Sequence, residues 1–168
     1  ILNQTIFYAK SGGQPGDTGT LSNNENDINI IDTTYDVEKN IIHITDEDIN
    51  FEINEKIKGK INWETRYKHM RMHSALHLLC SIIPFDVTGG QIGYDKSRLD
   101  FNVQDSKIDK EEIQLRINEI VKQDHQISYQ WITNEELDKQ PDLVRTMSVK
   151  PPRTTNKIRL VKIGNVDI

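Results

Sequence analysis

Along the first third of the chain, hydrophobic positions come in short Ile-rich clusters. Residues 5–8, 19–21, 27–33, 41–45 and 56–61 are separated by groups of Gly, Asn, Asp and Ser. That pattern predicts hairpins of a small β-barrel or sandwich, because those residues supply the turn conformations between strands. The segment Ser11-Gly12-Gly13-Gln14-Pro15-Gly16-Asp17 is too dense in chain breakers for a helix or a regular strand. At Trp63 the period changes. Residues 65–83 contain no Gly or Pro, Pro84 stops the run, and Met72, Ala75, Leu76 and Leu79 share one stripe at helical spacing, so a helix is predicted. Residues 98–103 alternate, with Leu99, Phe101 and Val103 on one side, as a half-buried strand does. Asp109 with Glu112 opens a second helix, whose buried stripe is expected to be Ile113, Ile117, Ile120 and Val121. Residues 126–132 return to alternation, Thr133 with Glu136 begins a short helix, and residues 157–163 read as a strand with one charged face. The whole predicts an α+β protein. Residues 1–62 form an N-terminal β-barrel-like domain, and residues 63–168 a two-layer α/β domain after a short link near 62–64.

Composition narrows the classes. A length of 168 residues fits one domain or two small ones. No apolar run approaches the roughly 18–20 residues of a membrane span, which excludes a transmembrane helix, and no secretory N-terminus is present. The first residue is Ile rather than Met, so the natural start is expected upstream. A single cysteine, Cys80, excludes an internal disulfide framework and fits a reducing, cytoplasmic setting. The net charge of −5 argues against nucleic-acid binding by bulk charge. Its distribution differs: residues 143–166 hold no acid but carry Arg145, Lys150, Arg153, Lys157, Arg159 and Lys162. These are either a phosphate-binding face or a solvated surface.

The sharpest chemical feature is His73-Ser74-Ala75-Leu76-His77. Histidines at i and i+4 point the same way from a helix and can reach one divalent ion; alternatively, one is exposed and the other packs inside. No Glu follows the first His, so this is not the His-Glu-x-x-His protease arrangement. Zinc requires three or four ligands. His69 and Cys80 lie on nearly the same face, but one straight helix cannot surround an ion, so at least one ligand must come from elsewhere. Cys80 reads more simply as a small buried residue.

Four segments in this order resemble the editing region of alanyl-tRNA synthetase and its free-standing relatives, the AlaX trans-editing proteins. They are residues 7–17, residues 70–79 around the His pair, Gly90-Gln91-Ile92-Gly93 with Arg98-Leu99-Asp100-Phe101, and residues 158–163. The resemblance runs over nearly the whole chain. It implies a small β-barrel followed by an editing domain of the type common to threonyl- and alanyl-tRNA synthetases. The Gly-Gly-Gln-Pro-Gly-Asp segment favours the alanine type. The resemblance also implies Zn2+ held by His73 and His77 and by a Cys and a His of a Cys-Gly-Gly-Thr-His segment, expected beyond Ile168.

The implied activity is zinc-dependent hydrolysis of the aminoacyl ester of mischarged tRNA(Ala), mainly Ser-tRNA(Ala) and also Gly-tRNA(Ala). The partner is the acceptor end of that tRNA, with neither membrane nor DNA expected. Zinc would lower the pKa of a water to about 7 or orient the substrate amino group. Serine is alanine plus a hydroxyl, and a site that must hydrogen-bond that hydroxyl can reject the analogue lacking it by about 10⁴–10⁵. Gln91, in a matching segment, is the candidate for that bond, or else it ties a loop. Gly89, Gly90 and Gly93 would let the backbone approach the terminal adenosine. Arg71 meets a phosphate or makes a helix ion pair. Asp100 orients a ligand His, fixes Arg98, or belongs to a surface pair. Gly12, Gly13 and Gln14 either cover the acceptor end or form a tight packing turn. The alternative is an appended or degenerate tRNA-binding module of an alanyl-tRNA synthetase without its own activity.

Overall fold

A break in alternation sets the first sheet. β1 (Gly19–Ser22) pairs antiparallel with β2 (Asp27–Tyr35) and with β4 (Lys58–Ile61), and β2 pairs with β3 (Ile41–Thr45). The computed structural model describes residues 1–103, 107–143 and 156–167. Along β2, Ile28 and Ile30 are buried, but the register slips between Ile30 and Asp32. A bulge of this kind shifts the inward side by one residue. Thr33 therefore becomes fully buried while Ile31 lies exposed. Phe7, Leu21 and Ile30 form the core beneath this sheet, with Leu2, Phe51, Ile57 and Ile61 packed around them.

The expected barrel does not close. The sheet is open, in the order β3-β2-β1-β4, and among the described residues no pairing joins β3 to β4. The physical reason lies in residues 5–8, expected as a strand and absent from the ladder. Their hydrogen bonds go elsewhere. Phe7 N–H donates to Thr5 Oγ1, Tyr8 N–H to the Asp17 carboxylate, and Tyr8 C=O accepts from Asp17 N–H. The segment is committed to the Gly-rich loop rather than to a neighbouring strand.

The chain divides into two compact units, Ile1–His73 with Gln91–Ser97, and Ser74–Gly90 with Arg98–Ile168. α1 (Trp63–Ile82) runs through the division. In the second unit β5 (Val87–Gln91) pairs with β6 (Arg98–Phe101). The sequence pattern predicts no strand over residues 87–91, where β5 lies. A Cβ on Gly89 would stand 3.0 Å from Asp100 Oδ2, so the missing side chain makes room for that carboxylate.

α2 (Lys110–Lys122) starts at Asp109, whose side chain accepts from Glu111 and Glu112 N–H groups. Such a cap contributes about 1 kcal/mol. Its expected buried stripe is only half-covered: no α2 residue is fully buried, and Val121 is exposed. β7 (Ile127–Thr133) and β8 (Lys157–Ile163) pair antiparallel along their full length. Between them α3 (Asn134–Asp138) begins with the expected Thr133–Glu136 capping box, and Pro141–Leu143 is a 3₁₀ turn. Ile158, Ile163, Leu137 and Val87 are buried apolar positions here, with Leu78, Ile82 and Ile83 of the α1 end. Among the described residues no helix is long and apolar enough to cross a membrane.

Candidate active site

The Gly-rich loop is held at both ends. Ser11 and Gln14 exchange backbone hydrogen bonds of 3.2 and 2.9 Å across Gly12 and Gly13. Both glycines have positive φ, 55° and 77°, the backbone of a tight two-residue hairpin turn that favours glycine. At the far end, Gly16 lies against the β2 backbone, where an added Cβ would sit 2.0 Å from Thr33 O. Asp17 is buried and accepts from Tyr8 N–H at 2.8 Å, from Arg66 Nε at 2.6 Å and from Arg66 Nη2. The buried Thr33 hydroxyl donates to Asp17 C=O at 2.8 Å.

This anchoring fixes Gln14. Its side chain is buried, and its Oε1 accepts from Nδ1 of His73 at 3.0 Å. Gly13 C=O accepts from Ile92 N–H at 2.9 Å. Within the first unit the structure therefore joins Gly13 and Gln14 to His73 and to the residue following Gln91.

His77, in the second unit, has a parallel partner. Its side chain is half-exposed, and Nδ1 donates to Oδ2 of the buried Asp167 at 2.9 Å. Asp167 is positioned by the turn after β8, where Ile163 N–H donates to its carbonyl at 2.8 Å. In both histidines the Nδ1 proton faces an oxygen acceptor, so a neutral ring carries its lone pair on Nε2. An amide or carboxylate behind the ring is the usual arrangement of a metal-ligating histidine.

α1 sets the two imidazoles one turn apart. This donor set fits one half of a tetrahedral zinc site. Among the described residues no group of three or more His, Cys, Asp or Glu forms a fuller one. Cys80 is a half-buried thiol. His69 is buried, edge-on to Tyr94 at 6.5 Å, and burial holds its pKa below the usual imidazole value despite the Asp17 carboxylate.

The other expected residues are distributed as follows. Gln91 ends β5 with an exposed side chain, and Gly90 lies beside Leu99, 3.1 Å from Cδ1 to a built Cβ. Gly93 turns the chain tightly; a Cβ there would meet Lys96 O at 2.3 Å, and its N–H donates to Ser97 Oγ. Arg98 and Asp100 pair at 3.2 Å on the surface, an ion pair of small energetic worth. Arg71 is exposed, its guanidinium 5.9 Å from the Tyr67 ring centre. On β8, Lys157 and Arg159 are exposed and Lys162 is half-buried; Arg159 lies 5.5 Å from the Tyr129 ring centre. Arg145, Lys150 and Arg153 lie outside the described residues.

Sequence reading missed Arg66 and Asp167. Arg66 is 49 residues from Asp17, and Asp167 is 90 residues from His77, so no local spacing pointed to either.

Comparison with known proteins gives the family of the chain. The family described as tRNA synthetases class II (A) matches residues 1–65. An alanyl-tRNA editing protein AlaX-M of Methanosarcina mazei is 33% identical over 182 residues, covering 100% of this chain and 71% of the relative. An AlaX-L of Pyrococcus horikoshii is 34% identical and covers 100% of this chain and 42% of the relative. An alanine–tRNA ligase of Pyrococcus abyssi is 30% identical, covering 100% of this chain and 19% of the ligase. The chain belongs to the AlaX family of alanyl-tRNA editing proteins.

Proposed function

We propose that this protein is an aminoacyl-tRNA deacylase that removes serine, and also glycine, from mischarged tRNA(Ala). It does so at a zinc site whose first two ligands are His73 and His77. The observation that carries this reading is the matched pair of contacts behind the rings. Gln14 holds Nδ1 of His73 and Asp167 holds Nδ1 of His77, leaving each neutral imidazole to ligate through Nε2. The remaining donors, a thiol and an imidazole, come from outside the described residues. When bound, the ion supplies Lewis-acid chemistry to the hydrolysis of an ester that is already activated.

The chain's own residues do the rest. Gln91, at the exposed end of β5, takes the serine hydroxyl in a hydrogen bond that alanine cannot make. Gly90 and Gly93 keep the backbone open to the terminal adenosine. The Gly12-Gly13-Gln14 turn keeps the His73 ring in one orientation, and the Asp17–Arg66 pair fixes that turn. Arg71, Arg98 and the basic residues of β8 take backbone phosphates, and such contacts make affinity fall with salt. The division into an N-terminal β domain and a C-terminal editing domain of the threonyl/alanyl-tRNA synthetase type belongs to the same reading, as does a cytoplasmic location. The alignment of the whole chain within an alanine–tRNA ligase favours one second reading, that of an editing module working in a longer synthetase.

The test is deacylation of Ser-tRNA(Ala) beside Ala-tRNA(Ala), using protein from the full open reading frame. The serine ester should be cleaved and the alanine ester spared. Equal cleavage of both overturns the selectivity.

A further inference from the structure

Trp63 and Tyr67 lie one turn apart on α1, their rings stacked at 6.0 Å between centres and 23° between planes. They are 58% and 49% exposed. One turn further on, Arg71 places its guanidinium 5.9 Å from the Tyr67 ring centre. Large aromatic rings are costly to leave in water, and a core-facing role does not explain these two, since the buried side of α1 in this unit is carried by His69. Such a surface calls for a ligand with a flat π face and a negative charge beside it.

The charge pattern points the same way. The protein carries −5 overall, yet between Glu64 and Asp86 there is no acidic residue, while Arg66, Lys68 and Arg71 all fall there. Glu64, the one acid of α1, accepts from Tyr94 and pairs with Lys68. Arg66 is taken by the buried Asp17 and Lys68 by Glu64, so Arg71 is the cation left beside the aromatic pair, where it can meet a phosphate.

We propose that Trp63 and Tyr67 form a stacking platform for an unpaired base of the tRNA 3′ end, with Arg71 on the adjoining phosphate. The inference rests on the editing reading above and names where the single-stranded end is held. Aromatic faces bind bases whatever their sequence, because every base has a π face. The platform therefore grips the strand and leaves recognition of the amino acid to other residues.

The experiment uses an uncharged RNA minihelix of the tRNA(Ala) acceptor stem with its single-stranded 3′ end, and the same minihelix with that end removed. Trp131→Phe leaves Trp63 as the only tryptophan, since the chain has two. Its fluorescence should be quenched by the overhanging minihelix and not by the blunt one. Trp63→Ala and Tyr67→Ala should each weaken binding of the overhanging probe roughly 5- to 150-fold, while Trp63→Phe and Tyr67→Phe retain most of it. Arg71→Ala should reduce the slope of log affinity against log salt by about 0.7, the share of one phosphate on a single strand. Circular dichroism of each variant checks that the fold is kept.

Unchanged affinity of the two alanine variants, or equal binding of overhanging and blunt probes, overturns the platform. Trp63-dependent self-association without any change in RNA affinity overturns it also, in favour of a second copy as the occupant. If the unmodified protein deacylates Ser-tRNA(Ala) while these variants bind normally, only the platform falls. If it neither deacylates nor binds the minihelix, the editing reading falls with it.

Discussion

Replacing Asp17 by Asn tests the anchor on which the geometry of the first unit rests. The carboxylate is 3% exposed and receives three donors, one from Tyr8 and two from Arg66, while Arg66 itself is only 18% exposed. Asparagine keeps one oxygen but turns an NH₂ towards a guanidinium that can only donate. Removing one partner of a buried pair costs about 3–5 kcal/mol, because the other charge stays behind uncompensated. For a protein of this size each kcal/mol is worth roughly 2–4 °C in Tm, so a fall of about 6–20 °C is expected. In urea, with a slope of roughly 1–3 kcal/mol per molar, the midpoint should move down by on the order of 2 M. The Asp17→Asn, Arg66→Met double variant should lose less than the sum of the two single variants, since it removes the stranded charge as well. A single-variant loss under about 1 kcal/mol, or strictly additive losses, would refute the reasoning.

Other outcomes follow from the same contacts. Gln14→Leu removes the acceptor behind His73 and should weaken zinc binding about 10–100-fold, the usual effect of losing such a partner; competition with a metal indicator reads it, and Asp167→Leu should behave alike. Gly16→Ala forces a Cβ to within 2.0 Å of Thr33 O and should destabilise by about 1–3 kcal/mol or more, measured by urea denaturation. Burial lowers the folded pKa of His43, which shares a hydrogen bond with Thr5 Oγ1 at 2.8 Å, and that of His69. A depressed folded pKa means that the unfolded chain takes up the proton first. Their contribution is therefore complete above about pH 6.5 and is lost as pH falls through the lower folded values. His43→Gln should flatten that acid-side decline in urea midpoint, and an unchanged decline would contradict the burial argument.

Periodicity read the elements well where each side chain answers to its near neighbours. The α1 run without Gly or Pro, the Asp109 and Thr133 caps and the alternation of β8 all depend on residues three or four positions away, and all appear in the structure. It misread elements whose partners are distant. Residues 5–8 have strand composition, but Asp17, Arg66 and the Thr5 hydroxyl take their backbone groups. β5 contains two glycines because Asp100 and Leu99 of the paired strand need the space. The site shows the same division. The spacing of His73 and His77 is visible at a glance, and the Gly-Gly-Gln-Pro-Gly-Asp segment stands out as a loop. That Gln14 reaches His73, that Arg66 closes on Asp17, and that a lone acid near the end of the sequence meets His77 are consequences of folding over tens of residues.

The most direct measurement is the rate of Ser-tRNA(Ala) deacylation by protein from the complete reading frame, before and after chelation, beside the His73→Ala, His77→Ala double variant. Hydrolysis should stop on chelation, return when zinc is restored, and be absent from the double variant while Ala-tRNA(Ala) stays intact throughout. Undiminished hydrolysis by the double variant, or by the chelated protein, would contradict a metal-centred editing site on α1.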